Sequence, residues 1–325
     1  MATLVTGGTG FVGSNIVKAL AQIGHNVICF DYVAANELVR GYLKPWEEKI
    51  TFVQGDMLDG ESVAQLEKYE ITKIVHAAVF TGVLPEVEHT RSKSIVETNV
   101  MGTTNLLELA RQVTPERFVY VSSGSVYGEG RDPNEVLRED AVLLPRSLYE
   151  STKYASELIT RRYGELHGFE TASVRLSSPY GPMERVTGHR ANQSVMKEMT
   201  GRAVRGEPLE VGDRSLGRDY TYVADIAGGI RAILEAPKLS YDAYNNSSGI
   251  WVTLGEIVEA LRELVPDIEI ADLPPERAGA VQGSGERGPM DVSRLREDVG
   301  YTANYDLLAG LREYLEWREE FSFQD

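Results

Sequence analysis

The feature that most constrains the fold of this 325-residue chain is a glycine-rich loop close to its start. Residues 8–13 fit the pattern G-x-G-x-x-G, and an overlapping G-x-x-G-x-x-G begins one residue earlier. An apolar segment that predicts a strand, Ala2–Thr6, precedes the loop, and apolar residues at helical spacing follow it. Glycines at such a turn let a pyrophosphate approach the backbone and the positive end of the helix. The loop therefore predicts a dinucleotide site formed by Gly7, Gly10, Phe11, Val12 and Gly13.

Short apolar segments alternate with helical patterns over about the first half of the chain. The predicted elements that follow the loop are strands at Val27–Phe30, Ile50–Gln54, Lys73–His76, Phe118–Val121 and Thr171–Leu176, and helices at Ser92–Gln112, Leu254–Leu264 and Tyr305–Phe321. This alternation is typical of an α/β fold with a Rossmann-type, doubly wound parallel sheet. We expect a dinucleotide-binding domain over residues 1–170, to which segments near 171–180 and 218–235 return. A smaller C-terminal substrate-binding region is expected mainly over residues 177–325.

Acidic residues end two of the predicted strands. Asp31 closes the second strand 18 residues after Gly13, where a carboxylate can accept hydrogen bonds from the adenosine ribose and would repel a 2′-phosphate. This favours NAD over NADP as the cofactor. Asp56 follows the third strand and could reach the adenine edge, with Met57 packing on the ring. An ordinary turn at the end of a strand is the alternative for that pair.

Tyr149 and Lys153 begin a predicted helix and share one of its faces, since they are four residues apart. A nearby cation favours the phenolate, so the pair is a plausible base. The pattern Y-x-x-x-K is also common on amphipathic helices, but Ser123 follows the fifth strand and can reach the same crevice. Its hydroxyl can orient a substrate oxygen. We therefore predict Ser123, Tyr149 and Lys153 as the catalytic residues.

Composition excludes several classes of function. The net charge of −16 disfavours binding to nucleic acid, because phosphate backbones would be repelled. The chain has no apolar run of about 18 residues that could span a membrane. The single cysteine, Cys29, and five widely spaced histidines provide no metal-ligand pattern, so no metal is expected. With no recognisable signal peptide, we expect a cytoplasmic enzyme.

Taken together, the motifs resemble the extended short-chain dehydrogenase/reductase family, in particular its NAD-dependent nucleotide-sugar epimerases and dehydratases, of which UDP-glucose 4-epimerase is typical. The resemblance covers nearly the whole chain. It is carried by the glycine loop, His76-Ala77-Ala78, Asn99–Thr103 with Asn105–Glu108, Ser122–Gly128, Tyr149 with Lys153, Tyr180-Gly181-Pro182, and Arg218-Asp219-Tyr220 with Val223 and Asp225.

The resemblance implies a role for each of these residues. Tyr149 would take a proton from a sugar hydroxyl while hydride passes to NAD, and Ser123 would hydrogen-bond the reacting oxygen. Lys153 would bind the nicotinamide ribose and hold Tyr149 as phenolate. Ala77, Ala78 and Asn99 are placed with the cofactor-binding residues. A homodimer, formed through the helix that carries Tyr149 and the long helix before the fifth strand, is also implied.

The substrate side is predicted from the basic residues and from the same resemblance. Residues 175–218 contain eight basic and five acidic side chains, a local charge of +3 in an acidic chain, and guanidinium groups suit a diphosphate. The resemblance matches Arg218 and Arg277 to arginines that contact the nucleotide diphosphate. The remaining substrate-binding predictions are Thr81, Ser125, Ser178 and Arg185.

Several departures from the family pattern leave alternatives open. Ser178 stands where the family usually has Asn, and Ala280 replaces the usual Asp after Arg277. Gly124 and Ser125 replace the Asp-Glu pair of 4,6-dehydratases, which disfavours water elimination. The main hypothesis is 4-epimerisation of a UDP-hexose or UDP-uronate through a transient 4-keto intermediate. The alternatives are an NAD-dependent dehydrogenase of a free sugar, sugar acid or other small secondary alcohol, and a non-catalytic NAD-binding regulator.

Overall fold

A parallel sheet lies at the centre of the protein. The structure is a computed structural model, and it describes residues 1–128, 132, 134–188, 193–273 and 287–324. The strands are β1 (Ala2–Thr6), β2 (Val27–Asp31), β3 (Ile50–Gln54), β4 (Ile71–His76), β5 (Arg117–Ser123), β6 (Glu170–Leu176) and, at the edge, β10 (Ala243–Asn246). Their spatial order is β3-β2-β1-β4-β5-β6-β10, and every neighbouring pair is parallel. The order reverses at β1, so the predicted doubly wound Rossmann-type sheet is confirmed.

Helices connect these strands and cover both faces of the sheet. They are α1 (Phe11–Gln22), α2 (Glu37–Leu43), α3 (Gly60–Ala64), α4 (Pro85–Val96), α5 (Gly102–Val113), α6 (Leu148–His167), α7 (Val195–Arg205), α8 (Val223–Glu235), α9 (Leu254–Leu264), α10 (Ser293–Val299) and α11 (Leu307–Glu320). A π-helical turn, Glu97–Met101, joins α4 to α5, so the predicted helix Ser92–Gln112 is the C-terminal part of a longer helical run.

Alternate residues of each central strand pack into different cores, as the two-residue period of a strand requires. Val5 and Val119 lie in the core formed with α1 and α8. Leu4 and Phe118 lie in the core formed with α3 and α5. Both faces are therefore apolar, which explains the unbroken hydrophobic segments in the sequence.

The remaining strands form two small sheets beside the central one. The members are β7 (Ser178–Tyr180), β9 (Gly217–Tyr222) and β11 (Trp251–Thr253) in one sheet, and β8 (Leu209–Val211) with β12 (Ile270–Asp272) in the other. Two of the later segments contact the first part of the chain: residues 170–176 form β6 of the central sheet, and α8 packs on α1. The strands β7 and β9 pair with each other instead. Across the described ranges, no helix is long and apolar enough to cross a membrane.

Candidate active site

A cleft of about 610 Å³ opens at the carboxyl ends of the central strands. It is lined by the glycine loop, by the residues after β2, β3 and β4, by the end of β5, and by Tyr149 and Lys153 of α6. In open α/β sheets, ligands bind at this edge, where the strand order reverses. The predicted cofactor residues that line the cleft are Gly7, Gly10, Phe11, Val12, Gly13, Asp31, Asp56, Met57, Ala77 and Ala78.

The glycine loop lines the cleft and is packed so closely that side chains would not fit at two of its glycines. Gly7 has a φ of +67°, and a Cβ there would lie 2.7 Å from Ala78 Cα. A Cβ on Gly13 would overlap the Gly7 carbonyl oxygen. Gly10, the N-cap of α1, makes no side-chain capping hydrogen bond, and the positive end of that helix lies at the cleft. These features fit the pyrophosphate of a dinucleotide.

The two acidic residues differ in how the structure holds them. Asp31 accepts hydrogen bonds from the backbone N–H groups of Thr9 and Val33, both at 3.0 Å, which fixes its carboxylate beside the loop. Asp56 accepts a 2.8 Å hydrogen bond from the Leu58 N–H, as in an ordinary Asx turn. The neighbouring Met57 is 7% exposed and lies against α5, yet it also lines the cleft.

Helix α6 carries Tyr149 and Lys153 because its first turn is firmly capped. Ser147 accepts a hydrogen bond from the Glu150 N–H at 3.2 Å, and the Glu150 carboxylate accepts one from the Ser147 N–H at 3.2 Å. This capping box fixes the start of the helix one residue before Tyr149. Glu150 thus has a structural role at the start of α6.

Lys153 is almost completely buried at the end of β5. Its ammonium donates a 2.7 Å hydrogen bond to the Val121 carbonyl and lies 4.9 Å from the centre of the Tyr120 ring. Burial lowers the pKa of Lys153 to about 7, and the negative charge of Glu157 opposes that shift. The lysine therefore reaches the cleft with a charge that depends on its neighbours.

His76, the last residue of β4, is buried close enough to Lys153 to feel its charge. Its Nδ1 lies 2.7 Å from Thr6 Oγ1, and its Nε2 lies 2.9 Å from Thr103 Oγ1. Burial, with the charge of Lys153 as a smaller cause, lowers the pKa of His76 to about 3. The imidazole is consequently neutral at neutral pH.

Ser123 lies at the carboxyl end of β5 and lines the same cleft as Tyr149. Its Oγ accepts a 3.2 Å hydrogen bond from the Ser125 N–H and a 3.0 Å hydrogen bond from the Ser125 hydroxyl. Ser125 itself is absent from the residues that line the described part of the cleft. Ser125 thus contacts Ser123 directly, and its role in substrate binding stays a prediction.

Asn99 is buried in the π-helical turn and does not line the described part of the cleft. Its side chain accepts a 2.8 Å hydrogen bond from the Phe80 N–H and donates to the Phe80 carbonyl at 3.2 Å. It also donates to Thr152 Oγ1 at 3.0 Å. Asn99 therefore ties the segment after β4 to α6, and this holds the wall of the cleft in place.

The predicted substrate residues do not all meet at the cleft. Thr81 and Arg185 line it, and Arg185 donates a 2.6 Å hydrogen bond to the Thr9 carbonyl of the glycine loop. Ser178 and Arg218 belong to β7 and β9, outside the set of described residues that line the cleft. Arg277 and Ala280 lie outside the residues that the structure describes.

The described side chains of the basic segment 175–218 do not form one positive surface. Four of its arginines pair with carboxylates within the protein: Arg175 with Glu157, Arg202 with Glu210, Arg205 with Glu207, and Arg214 with Asp272. Of its described members, Arg185 is the one that lines the cleft. A count of charges could not show this, because the partners include residues far away in the sequence.

Sequence reasoning missed the wall that α4 contributes to the cleft. Arg91 stacks on the Phe80 ring at 4.6 Å and donates a 3.4 Å hydrogen bond to the Gly188 carbonyl. Its backbone departs from helical geometry, with a φ of −125°. No motif marks Arg91, and a lone arginine on a helix gives no signal of its own.

Comparison with known proteins agrees with this geometry. A model of the NAD dependent epimerase/dehydratase family matches residues 3–245. The chain is 30% identical to the low-salt glycan biosynthesis protein Agl12 of Haloferax volcanii, over 100% of this chain and 96% of that protein. It is 29% identical to UDP-glucuronate 4-epimerase 6 of Arabidopsis thaliana, over 98% of this chain and 71% of that protein.

Solved structures show the same architecture. The UDP-glucose 4-epimerase of Thermus thermophilus, in complex with NAD, matches at 27% identity with a TM-score of 0.80 and 100% coverage of both chains. The chain belongs to the NAD-dependent epimerase/dehydratase family, so the resemblance drawn from the motifs is confirmed. Within that family the cofactor is NAD, in agreement with the prediction from Asp31.

Proposed function

We propose that the protein is a nucleotide-sugar 4-epimerase that interconverts UDP-hexoses or UDP-uronates through a transient 4-keto sugar. The observation that carries this proposal is the presence of Ser123, Tyr149 and Lys153 in one cleft with the glycine loop and Asp31. Relatives named UDP-glucuronate 4-epimerase and UDP-glucose 4-epimerase support the choice of substrate class.

In this mechanism the side chains move and hold the proton of the sugar hydroxyl. NAD, held by the glycine loop and Asp31, would supply the acceptor and donor of the hydride at the sugar carbon. Tyr149, as phenolate, takes the hydroxyl proton and gives it back on the return step. Lys153 stabilises the phenolate by its charge, and Ser123 donates a hydrogen bond to the reacting oxygen.

The neighbourhood of Ser123 disfavours a dehydratase. A Cβ on Gly124 would overlap Met290 Cε and lie 3.1 Å from the Leu176 carbonyl oxygen. An acidic side chain at position 124 would therefore have to displace Met290, which is 2% exposed in the described structure. Elimination of water needs an acid and a base beside the sugar, and Gly124 supplies neither.

The test is a product analysis with UDP-glucose, UDP-galactose, UDP-glucuronate and UDP-galacturonate, combined with absorbance at 340 nm. We expect interconversion of one 4-epimeric pair with no net growth of NADH. Tyr149→Phe should abolish turnover, whereas Tyr154→Phe, a matched change on the same helix, should retain it. Net NADH growth with a free sugar or sugar acid, and no turnover of UDP-sugars, would select the dehydrogenase instead.

Substrate contacts can be tested separately. We propose that Thr81, Ser125, Ser178, Arg185, Arg218 and Arg277 form the substrate side of the site, with Arg218 and Arg277 on the diphosphate. Arg218→Ala should weaken binding of UDP, measured by calorimetry, by about tenfold or more. Unchanged affinity in that variant would exclude the nucleotide-sugar assignment.

We also propose a homodimer and a cytoplasmic location, with neither nucleic acid nor membrane as a partner. Exposed apolar side chains on the two helical segments that the resemblance assigns to the dimer support the homodimer, namely Leu158 and Leu166 on α6 and Met101 before α5. Light scattering after size exclusion should give twice the mass of the 36.0 kDa chain. Leu158→Lys should shift that mass towards the monomer if α6 forms the interface.

A further inference from the structure

A buried carboxylate lies directly behind the predicted catalytic residues. Glu157 follows Lys153 by one helical turn and Tyr149 by two, so the three residues share a face of α6. It is 6% exposed, and its Oε1 accepts a 2.6 Å hydrogen bond from the Ser122 hydroxyl. Ser122 directly precedes Ser123 in β5. Glu157 thereby joins the helix that carries two of the predicted catalytic residues to the strand that carries the third.

Arg175 of β6 holds the same carboxylate from the other side. Its Nη2 donates to Glu157 Oε2 at 2.8 Å, and its Nε donates to Oε1 at 3.0 Å, which is a bidentate ion pair. The remaining Nη1 donates to the Tyr127 hydroxyl and to the Glu139 carbonyl, both at 3.0 Å. Because Arg175 is 4% exposed and pairs fully within the protein, the Glu157 side chain is held in one position.

Glu157 also sets the charge around Lys153. Burial lowers the pKa of Lys153, and the charge of Glu157 raises it. The other titratable groups around Lys153 are His76 from β4 and Tyr120 from β5, with Tyr149 one turn earlier on α6, while Arg175 from β6 holds the Glu157 carboxylate. Loss of the carboxylate charge would remove the interaction that raises the pKa of Lys153, which disfavours its ammonium form.

We propose that Glu157 is a positioning residue: held by Ser122 and Arg175, it fixes Ser123 relative to Tyr149 and Lys153 and places a carboxylate charge near the Lys153 ammonium. This inference rests on the proposed roles of those three residues in the reaction. It goes beyond them because Glu157 touches neither the described cleft nor any group that would react.

The test compares two arginine–glutamate ion pairs that each include a residue of β6: the buried pair of Arg175 with Glu157, and a pair whose glutamate is about one-third exposed. Arg117 of β5 pairs with Glu170 of β6 at the amino ends of the strands, remote from the cleft. Glu157→Gln and Glu170→Gln each remove one carboxylate charge from such a pair. We expect Glu157→Gln to lower kcat by about 10- to 100-fold with little change in KM, because the geometry of the reacting groups is disturbed. Glu170→Gln should leave both constants near the wild-type values.

The pH dependence separates a positioning role from a merely structural one. In Glu157→Gln, the alkaline limb of kcat should move to lower pH by about one unit, because Lys153 loses its proton earlier. The same shift should appear in the affinity for NAD, measured by calorimetry between about pH 6 and pH 9, since Lys153 is predicted to hold the nicotinamide ribose. Glu170→Gln should shift neither curve.

The NAD measurement needs no sugar substrate, so it keeps the two proposals distinguishable. Absence of turnover in the wild type would count against the proposed function, while the NAD titration would still decide the role of Glu157. Equal pH midpoints in wild type, Glu157→Gln and Glu170→Gln would overturn the inference. If Glu157→Gln fails to fold, Ser122→Ala removes one hydrogen bond and leaves the ion pair intact; a kcat equal to that of the wild type in this variant would also overturn it.

Discussion

The buried His76 should make the stability of the protein fall steeply in mildly acidic solution. Its Nε2 donates to Thr103 Oγ1, because that hydroxyl already donates its own proton to the Asn99 carbonyl at 2.6 Å. The Nδ1 therefore accepts from the Thr6 hydroxyl, which itself receives the Ala78 N–H at 3.3 Å. A second proton on the imidazole would break this arrangement, and Lys153 repels the added charge.

The size of the effect follows from the two protonation equilibria. The pKa of His76 falls from 6.5 to about 3 on folding, so the unfolded chain binds one more proton than the native chain between those values. The contribution of His76 to the free energy of unfolding is complete above pH 6.5 and is lost progressively as the pH falls towards 3. Between pH 7 and pH 5 the free energy of unfolding should therefore decrease by about 2 kcal/mol from this residue alone. Any native pKa well below 5 gives the same figure.

Urea unfolding at pH 7 and pH 5 measures this difference. His76→Gln keeps a donor and an acceptor near the two threonines but cannot take up the proton. It should be less stable than the wild type at pH 7, yet lose about 2 kcal/mol less between the two pH values. His89→Gln, a change at a histidine outside the buried core, is the matched control for loss of an imidazole. Equal losses in wild type and His76→Gln would refute the reasoning.

Three further changes test the site and its scaffold. Gly13→Ala should weaken NAD binding more than tenfold in equilibrium dialysis, because its Cβ overlaps a carbonyl oxygen of the glycine loop, whereas Gly60→Ala, with nothing within 4 Å, should bind normally. Ser147→Ala should lower the free energy of unfolding by about 1 kcal/mol through loss of the capping box, and an unchanged urea midpoint would contradict that role. Gly124→Asp should destabilise the fold by about 1–3 kcal/mol and yield no dehydrated product; Met290→Ala in the same chain should restore part of the stability, because it removes the clashing side chain.

The strand β10 shows where local sequence patterns fail. Its residues, Ala243–Asn246, include two asparagines, which are poor strand formers, and the sequence did not predict a strand there. In the structure Asn245 donates to the Leu137 carbonyl at 2.8 Å and accepts from the Tyr127 hydroxyl at 2.8 Å. Asn246 donates to the Ile226 carbonyl at 2.8 Å. Long-range hydrogen bonds thus compensate for a low strand propensity.

The arginines of segment 175–218 show the opposite case, in which a clear sequence signal predicted a surface that the described structure does not form. A positive stretch of sequence suggested one anion-binding surface, but a guanidinium pairs with whichever carboxylate the fold brings near. Arg175 meets Glu157 on α6, and Arg214 meets Asp272 on β12, both far away in the chain. Arg185 remains in the cleft because it is held against the glycine loop. Charge counts along a sequence therefore cannot separate a binding group from a structural ion pair.

The sequence by itself determined the features that depend on neighbours along the chain. These are the glycine turn at Gly7 to Gly13, the alternation of strands and helices, and the shared helical face of Tyr149 and Lys153, each of which follows from backbone geometry at short range. Tertiary structure brings Ser123 and Tyr149 to one cleft, as the sequence predicted, and it alone decided that His76 stays neutral and that Arg175 is sequestered by Glu157. Those outcomes depend on burial and on contacts between distant segments, which set the local dielectric and the partner of each charge.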